Sequence, residues 1–337
     1  MIKIFLLKMN KFILLFSVIA LIVCTEVNEE YIFKKFQQFV KKYNKRYSSV
    51  DEYLGRYRIY KYNLMNSYES NEKLSYKTGI TKFSDMTQQE FAKIYLNLNF
   101  NALATLNRHP VSPSNVNAAP DSYDWRDGVR VGPVKDQGSC GSCWAFSTVA
   151  NLEGLWAEKK GEYLAFSEQL LVDCDTLDSG CNGGLMEYAF EWLESNGMET
   201  EKDYPYTGYQ QSCKKDTSKY IDMKVTGYNL LCDWSPCDEA EVKEYLYETG
   251  PLSVALNANP LQTYVSGILD LNSSKCNPSG LNHAVTLVGY GNESGKDYWI
   301  VKNSWGKSWG ESGYFRIARG KSTCGINYYV ISAKVKF

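Results

Sequence analysis

An odd number of cysteines behind an apolar leader constrains this chain more than any other feature. The apolar run from Phe12 to Cys24 has the length of a signal-peptide core and is short for a membrane span. Ten cysteines are present, so nine remain once Cys24 is assigned to the leader. Disulfides form in the oxidising secretory pathway, where an odd cysteine is either an intermolecular link or a reactive thiol. We therefore expect a disulfide-bonded fold with one cysteine left over.

The leader predicts secretion, and residues 1–24 are assigned to a signal peptide with cleavage near Cys24 or Thr25. Met9 opens an equally good signal, and a retained membrane anchor is the alternative. The 337 residues suffice for one large domain or two modest ones. The 37 basic residues nearly balance the 38 acidic ones, so no nucleic acid or stable membrane partner is expected.

Residues 25–118 predict a helical region that ends in a linker. Apolar residues recur at helical spacing from Glu29 to about Tyr47 and again from Asp51 to Asn71, which predicts a helical hairpin. The two stripes are Phe33, Phe36, Val40 and Tyr43, and then Tyr53, Tyr57, Tyr60 and Leu64. Residues 107–118 are rich in Asn, Pro, Ser and Ala, and such a linker is a natural site for proteolytic cleavage.

Residues 119–337 predict a second domain of the α+β class, with a helix-rich first half and a strand-rich second half. A long helix is predicted from Cys143 to Gly161, with Lys159 and Lys160 suited to its C-terminal end. Short apolar runs bounded by Gly, Pro or polar residues predict strands. The clearest are Leu252–Leu256, Ala284–Val288 and Tyr298–Lys302.

The candidate nucleophile is Cys143, at the start of the predicted long helix. Unpaired backbone N–H groups at a helix N-terminus favour a thiolate, and a thiolate beside an imidazole attacks carbonyl carbon readily. Gln137 lies six residues earlier, and its amide could join the backbone N–H of Cys143 in an oxyanion hole.

The candidate base is His283, because the only other histidine, His109, lies in the linker. A third group should fix its tautomer, and Asn303, which follows a predicted strand, is placed to do so. Trp305 would keep water away from that hydrogen bond.

Three other interpretations of these residues were weighed. Cys140 and Cys143 could form a thioredoxin-like redox pair, but no βαβ unit precedes them. A zinc site is disfavoured, because the sequence lacks the paired spacing of ligands that such a site needs. Without the other candidate residues, His283 would be interpreted as a buried core histidine.

In these candidate residues the chain resembles the papain and cathepsin L family of cysteine proteases. The resemblance covers about residue 119 to Phe337, and its motifs are Gln137 to Trp144, Gly180-Cys-Asn-Gly-Gly184, Asn303-Ser-Trp-Gly306 and Trp309-Gly-Glu-Ser-Gly-Tyr314. It implies a two-lobed fold, with a helical lobe, a β-barrel-like lobe and the active cleft between them. It also implies a cysteine endopeptidase with no metal or organic cofactor, which holds the substrate backbone near Gly183 and Gly184.

The resemblance also implies a disulfide set and a pocket for the P2 side chain. Its usual bridges correspond to Cys140 with Cys181, Cys174 with Cys213, and Cys276 with Cys324, which leaves Cys143 free. Cys232 and Cys237 depart from the family pattern and suggest a local bridge, with free structural thiols as the alternative. The implied pocket residues are Met186, Ala255, Leu281, Ala284 and Tyr329. They predict an apolar P2 preference with no acidic residue to attract arginine.

The region before the linker resembles the family's inhibitory propeptide. Glu52, Arg56, Asn63 and Asn71 match its helix motif, whereas Tyr60 and Ser67 depart from it. A second motif survives from Gly79 to Asp85 with Thr81 in place of Asn. The resemblance implies protein and peptide substrates, inhibition by the chain's own propeptide, cystatin-like inhibitors and a monomer. We expect a lysosome or other acidic vesicle, or secretion, and Asn272 and Asn292 fit the glycan acceptor pattern.

Two other classes compete with a hydrolase. A non-catalytic homologue that binds or stores is disfavoured by the intact set of catalytic candidates. An acyl-transfer enzyme of the same fold would use the same residues and is left open by the sequence. Exopeptidase action through a histidine-bearing loop is disfavoured, because the second domain has one histidine.

Overall fold

The structure is a computed structural model that describes residues 29–72, 74–98 and 119–337. The predicted signal peptide, residues 1–24, and the linker, residues 107–118, lie outside the described residues. In the described ranges, no helix is both long and apolar enough to cross a membrane. Described residues up to Asn66, together with Ser84–Met86, form one compact unit, and those in Ser67–Phe83 and Thr87–Phe337 form another.

The first unit contains the first predicted helix and most of the second, which form the predicted helical hairpin. Helix α1 covers residues 29–42, and α2 covers Val50–Asn71. Phe36 of α1 packs against Tyr53 and Tyr60 of α2, with ring centroids 5.1 and 5.2 Å apart. The first helix ends before the predicted Tyr47, because the chain turns at Asn44, whose φ is 49°. Aromatic side chains at helical spacing therefore join the two helices.

The second unit contains five further helices. They are α3 (Gln88–Tyr95), α4 (Cys143–Lys160), α5 (Glu168–Cys174), α6 (Met186–Ser195) and α7 (Glu239–Thr249). A capping box of Thr87 and Glu90 begins α3. Gly161, with φ of 75°, ends α4 in the left-handed conformation that glycine adopts without strain. The predicted long helix is therefore present with the predicted start.

The sheet of the second unit is mixed and open. Its strands are β1 (Tyr76–Thr78), β2 (Tyr123–Asp124), β3 (Lys224–Asp233), β4 (Leu252–Leu256), β5 (Tyr264–Leu269), β6 (His283–Glu293), β7 (Lys296–Lys302), β8 (Tyr314–Ala318) and β9 (Tyr329–Lys336). The order is β1-β5-β8-β7-β6-β4-β9-β3, and β2 pairs with β6. The strand-rich half is confirmed, and its sheet is not closed into a barrel, because the end strands β1 and β3 each pair with one neighbour in the described sheet.

Four disulfides cross-link the second unit, and three of them follow the pattern that the resemblance implies. The pairs are Cys140 with Cys181, Cys174 with Cys213, Cys232 with Cys237, and Cys276 with Cys324. The unusual Cys232–Cys237 pair is bonded and closes the loop between β3 and α7. Among the residues that the structure describes, Cys143 is the free cysteine.

Candidate active site

Cys143 is the first residue of α4 and is fully buried. The backbone N–H groups of Ala284, Asn97, Trp144 and Cys143 itself point at its sulfur. Such groups stabilise a negative sulfur. The thiol therefore lies where a helix N-terminus meets the strand that carries the candidate base.

His283 begins β6 and lies opposite Leu256 of β4. Its Nε2 atom is 2.9 Å from Oδ1 of Asn303, the residue that follows β7. The Ser147 hydroxyl of α4 donates to the carbonyl of Val285 at 2.7 Å, which fixes the helix against the start of β6. The structure thus joins His283 to Asn303 and places the start of α4, which carries Cys143, against the start of β6.

Trp305 covers the histidine and asparagine, as the sequence predicts. Its ring stacks on His283 with centroids 4.7 Å apart and 25° between the planes. Trp305 is itself fully buried and packs edge-on against Trp309. Exclusion of water strengthens the hydrogen bond between His283 and Asn303.

Gln137 is held by a network that includes two residues we did not identify from the sequence. Its Oε1 accepts from the Ser304 hydroxyl at 2.6 Å, and its Nε2 donates to the carbonyl of Cys140 at 2.9 Å. The hydroxyl of Tyr206 donates to the Gln137 carbonyl at 2.8 Å. An amide nitrogen has two hydrogens, so one remains for an oxyanion. Motif spacing identified Gln137, but nothing in the sequence marked its two partners.

The segment between α3 and the linker crosses the site. Leu98 forms a parallel bridge with Gly184, and its N–H donates to the carbonyl of Asn282 at 3.2 Å. A side chain at Gly183, whose φ is 112°, would overlap the backbone of Asn97. The two glycines expected to bind substrate backbone therefore contact the backbone of residues 97 and 98 in this structure.

This coverage changes the protonation of the catalytic candidates. Burial raises the pKa of the Cys143 thiol to about 11, although the surrounding backbone N–H groups oppose the shift. Burial lowers the pKa of His283 to about 4, against the opposing effects of Asn303 and the Tyr95 backbone. Between these values both groups are neutral, so the covered site holds a thiol and an imidazole and no ion pair.

The five predicted pocket residues belong to one apolar cluster. Met186, Ala255, Leu281, Ala284 and Tyr329 are all buried there, and Leu98 of the propeptide belongs to the same cluster. A leucine from the covering segment thus belongs to the same apolar core as the residues expected to receive P2.

A buried acidic residue lies beside this cluster, which we did not predict. Glu187 follows Met186 in α6 and is fully buried. Its Oε2 accepts from the Tyr329 hydroxyl at 3.2 Å and its Oε1 from the Tyr228 hydroxyl at 2.9 Å. The sequence could not reveal this contact, because Glu187 and Tyr329 are 142 residues apart.

Aromatic and polar contacts attach residues 76–91 to the part of the second unit around Trp305. Phe83 and Phe91 pack edge-on against Trp305, with centroids 5.1 and 5.4 Å apart. Lys82 pairs with Asp136 at 2.8 Å, and the Thr81 hydroxyl donates to the Gln262 carbonyl at 2.6 Å. The tryptophan that shields His283 is therefore also a docking surface for the segment that precedes the linker.

A free thiol at a helix N-terminus, against the start of a strand whose first residue is a histidine bound to an asparagine, defines a thiol-dependent hydrolase. The profile of the papain family cysteine proteases matches residues 119–334, and that of the cathepsin propeptide inhibitor domain (I29) matches residues 36–91. This chain belongs to the papain family of cysteine proteases and is made with a cathepsin-type propeptide.

Individual relatives and a solved structure support the same family assignment. The chain is 42% identical over 315 residues to cysteine proteinase 15A of Pisum sativum, over 88% of this chain and 84% of that protein. It is 41% identical over 309 residues to the viral cathepsin of Heliothis zea nuclear polyhedrosis virus, over 86% of this chain and 82% of that protein. The structure of digestive procathepsin L2 from Tenebrio molitor larval midgut superposes with a TM-score of 0.83 at 35% identity, over 90% of this chain and 99% of that one.

Proposed function

We propose that the protein is an endopeptidase that cleaves peptide bonds through an acyl-enzyme on Cys143. The observation that supports this most is the arrangement of one free cysteine at the start of α4, beside the strand whose first residue is His283, with Asn303 on Nε2 of that histidine. The remaining eight described cysteines are in disulfides, so Cys143 is the thiol available as nucleophile.

The reaction needs two proton transfers through His283. The Cys143 thiolate attacks the peptide carbonyl carbon, and the imidazolium donates a proton to the departing amine, which leaves a thioester. Water then loses a proton to the imidazole as it attacks the thioester, and the acid product leaves as the thiolate reforms. The second Nε2 hydrogen of Gln137 and the backbone N–H of Cys143 would stabilise the oxyanion in both steps.

Hydrolysis of a Phe-Arg fluorogenic peptide at mildly acidic pH tests this function. The precursor is assayed before and after the linker is cut, with and without an epoxide reagent for thiols, beside the Cys143→Ala variant. Addition of an amine nucleophile separates the rival acyl-transfer function, because a transferase would give a dominant amide product. A folded, cleaved protein that shows neither reaction would indicate a non-catalytic homologue.

We expect an apolar P2 side chain to be preferred, and Leu98 supports this because it occupies the same apolar cluster as the pocket residues. Both Glu187 oxygens already accept hydrogen bonds from tyrosines, so a P2 arginine would be buried without an anionic partner. The kcat/KM for a Phe-Arg peptide should exceed that for an Arg-Arg peptide by about 100-fold or more. Equal values for the two peptides would contradict the preference.

Asp85 is proposed as an acid sensor for activation. Its carboxylate accepts from Lys45 at 2.8 Å and from Tyr47 at 3.0 Å inside the helical hairpin unit. Protonation would remove the charge that pairs with Lys45, and the Asp85→Asn change mimics that state. We expect Asp85→Asn precursor to activate about one pH unit higher than the wild type, whereas Asp51→Asn, on the exposed start of α2, should not differ. An unchanged activation pH for Asp85→Asn would refute this role.

The cellular location, the glycosylation and the partners of the protein are also proposed. An acidic vesicle or the extracellular space suits a secreted protease precursor. Asn272 and Asn292 are both exposed, as a glycan requires. We also propose that the mature enzyme is a monomer that cystatin-like inhibitors recognise.

A further inference from the structure

The loop closed by the Cys232–Cys237 disulfide carries a tryptophan against the pocket residue Tyr329. The rings of Trp234 and Tyr329 have centroids 4.6 Å apart and planes inclined by 34°. Trp234 is half-buried and packs on the same apolar cluster as the predicted P2 residues. This loop therefore contacts a residue of the proposed pocket, although it is not part of the sequence motifs that the resemblance assigns to the cleft.

The backbone of Trp234 is held in a conformation that bulky residues rarely adopt. Its φ is 58°, in the left-handed region that is strained for a non-glycine residue. Such a conformation persists when surrounding contacts enforce it. The disulfide provides one such constraint, because its two cysteines lie on either side of Trp234 in the chain.

Hydrogen bonds attach the same loop to the segment that carries Tyr329. Cys237 N–H donates to the carbonyl of Asn327 at 3.1 Å, and the Asn327 side chain donates to the carbonyl of Cys237 at 2.7 Å. Asp233 pairs with Tyr329 across β3 and β9. The loop and the tyrosine are thus fixed to each other through backbone and side chain.

The Tyr329 ring, in turn, reaches Glu187. Its hydroxyl lies 3.2 Å from Oε2 of that fully buried carboxylate. With Trp234 against its ring and Glu187 on its hydroxyl, Tyr329 is held at both its face and its tip. Any displacement of the ring would break its bond to the carboxylate and leave an acidic group beside the pocket.

We propose that Trp234 is a positioning residue for P2 specificity, which the Cys232–Cys237 bridge holds against Tyr329 so that Tyr329 keeps Glu187 from a basic P2 side chain. The inference rests on the proposed function, because it assigns Tyr329 to the P2 pocket. Removal of Trp234 leaves space into which the tyrosine ring can move. A P2 guanidinium could then pair with Glu187, since carboxylates bind arginine through charge-assisted hydrogen bonds.

The test is the ratio of kcat/KM for an Arg-Arg peptide to that for a Phe-Arg peptide, measured after activation of the full-length precursor. We expect Trp234→Ala to raise the ratio about tenfold or more, and Cys232→Ser/Cys237→Ser, which retains the tryptophan, to raise it in the same direction. Trp234→Phe should keep the wild-type ratio, because it retains an aromatic ring against Tyr329. Tyr209→Ala, at an exposed position, serves as the surface control.

Adding Glu187→Gln to Trp234→Ala should abolish the gain for Arg-Arg, because the amide carries no charge. A general loss of stability would lower kcat/KM for both peptides and leave the ratio unchanged. An unchanged ratio in active Trp234→Ala or in the active double serine variant would overturn the inference. Failure of the wild type to cleave either peptide would instead overturn the proposed function.

Discussion

Replacement of Cys143 by alanine is expected to lower kcat for peptide hydrolysis by about 10⁶-fold, to the background of the assay, because loss of a covalent nucleophile has an effect of this size in proteases. No second thiol among the described residues can substitute, since the others are bonded in pairs. The variant precursor should also fail to cut its own linker. Cleavage by an added protease is therefore needed before the assay.

Folding of this variant can be checked independently of its activity. Alanine removes a single sulfur atom from a buried site, so the thermal midpoint should stay within a few degrees of the wild type. Cys143→Ser is a matched control that keeps a hydrogen-bonding group at the same position but is a much weaker nucleophile. Hydrolysis by Cys143→Ala that remains sensitive to the epoxide reagent would contradict the role of Cys143.

The catalytic candidates could be identified from the sequence because the chemistry proposed for them depends on local signals. Cys143 is recognisable at a helix start, and His283 heads a run of strand-forming residues, so both elements are found where the sequence places them. Elimination among two histidines required no tertiary information. The contact between His283 and Asn303 joins the start of one strand to the end of its neighbour, and the place of Asn303 directly after a predicted strand made it a candidate.

Residues that act through long-range packing could not be predicted in the same way. Glu187 is an ordinary acidic residue in the first turn of a helix by sequence, and its burial beneath two tyrosines depends on how α6 meets β3 and β9. Trp234 carries no signal of its own beyond the two flanking cysteines. The openness of the sheet likewise depends on which strand edges pair, and no period in the sequence encodes that.

The propeptide does more than block access, because it changes the chemical state of the site. Tyr95 and Asn97 bring backbone groups to His283 and Cys143, and both catalytic side chains are completely buried. Desolvation disfavours the charged form of each group. A neutral thiol is a poor nucleophile, so we expect protonation as well as steric coverage to restrain the precursor.

Release of the segment at residues 95–98 should convert Cys143 from thiol to thiolate. With a pKa of about 11 in the precursor, the thiolate fraction at pH 6 is about 10⁻⁵, and it rises tenfold per pH unit. Once water reaches the site, His283 regains its proton and pairs with the thiolate, and thiols paired in this way have pKa values of about 3–4. We therefore expect alkylation of Cys143 by iodoacetamide at pH 6 to accelerate by about 1,000-fold or more after cleavage of the linker.

The direction of the pH dependence separates this protonation change from simple shielding. A raised thiol pKa and a lowered imidazole pKa keep both groups neutral across pH 6 to 9 in the precursor, whereas the mature pair should be charged at pH 6 to 7. The ¹³C chemical shift of the Cys143 Cβ reports this state without any reagent. It should have the thiol value in the precursor and the thiolate value in the mature enzyme at pH 7. A thiolate shift in the intact precursor would mean that the propeptide covers an ion pair already formed, and that inhibition is steric alone.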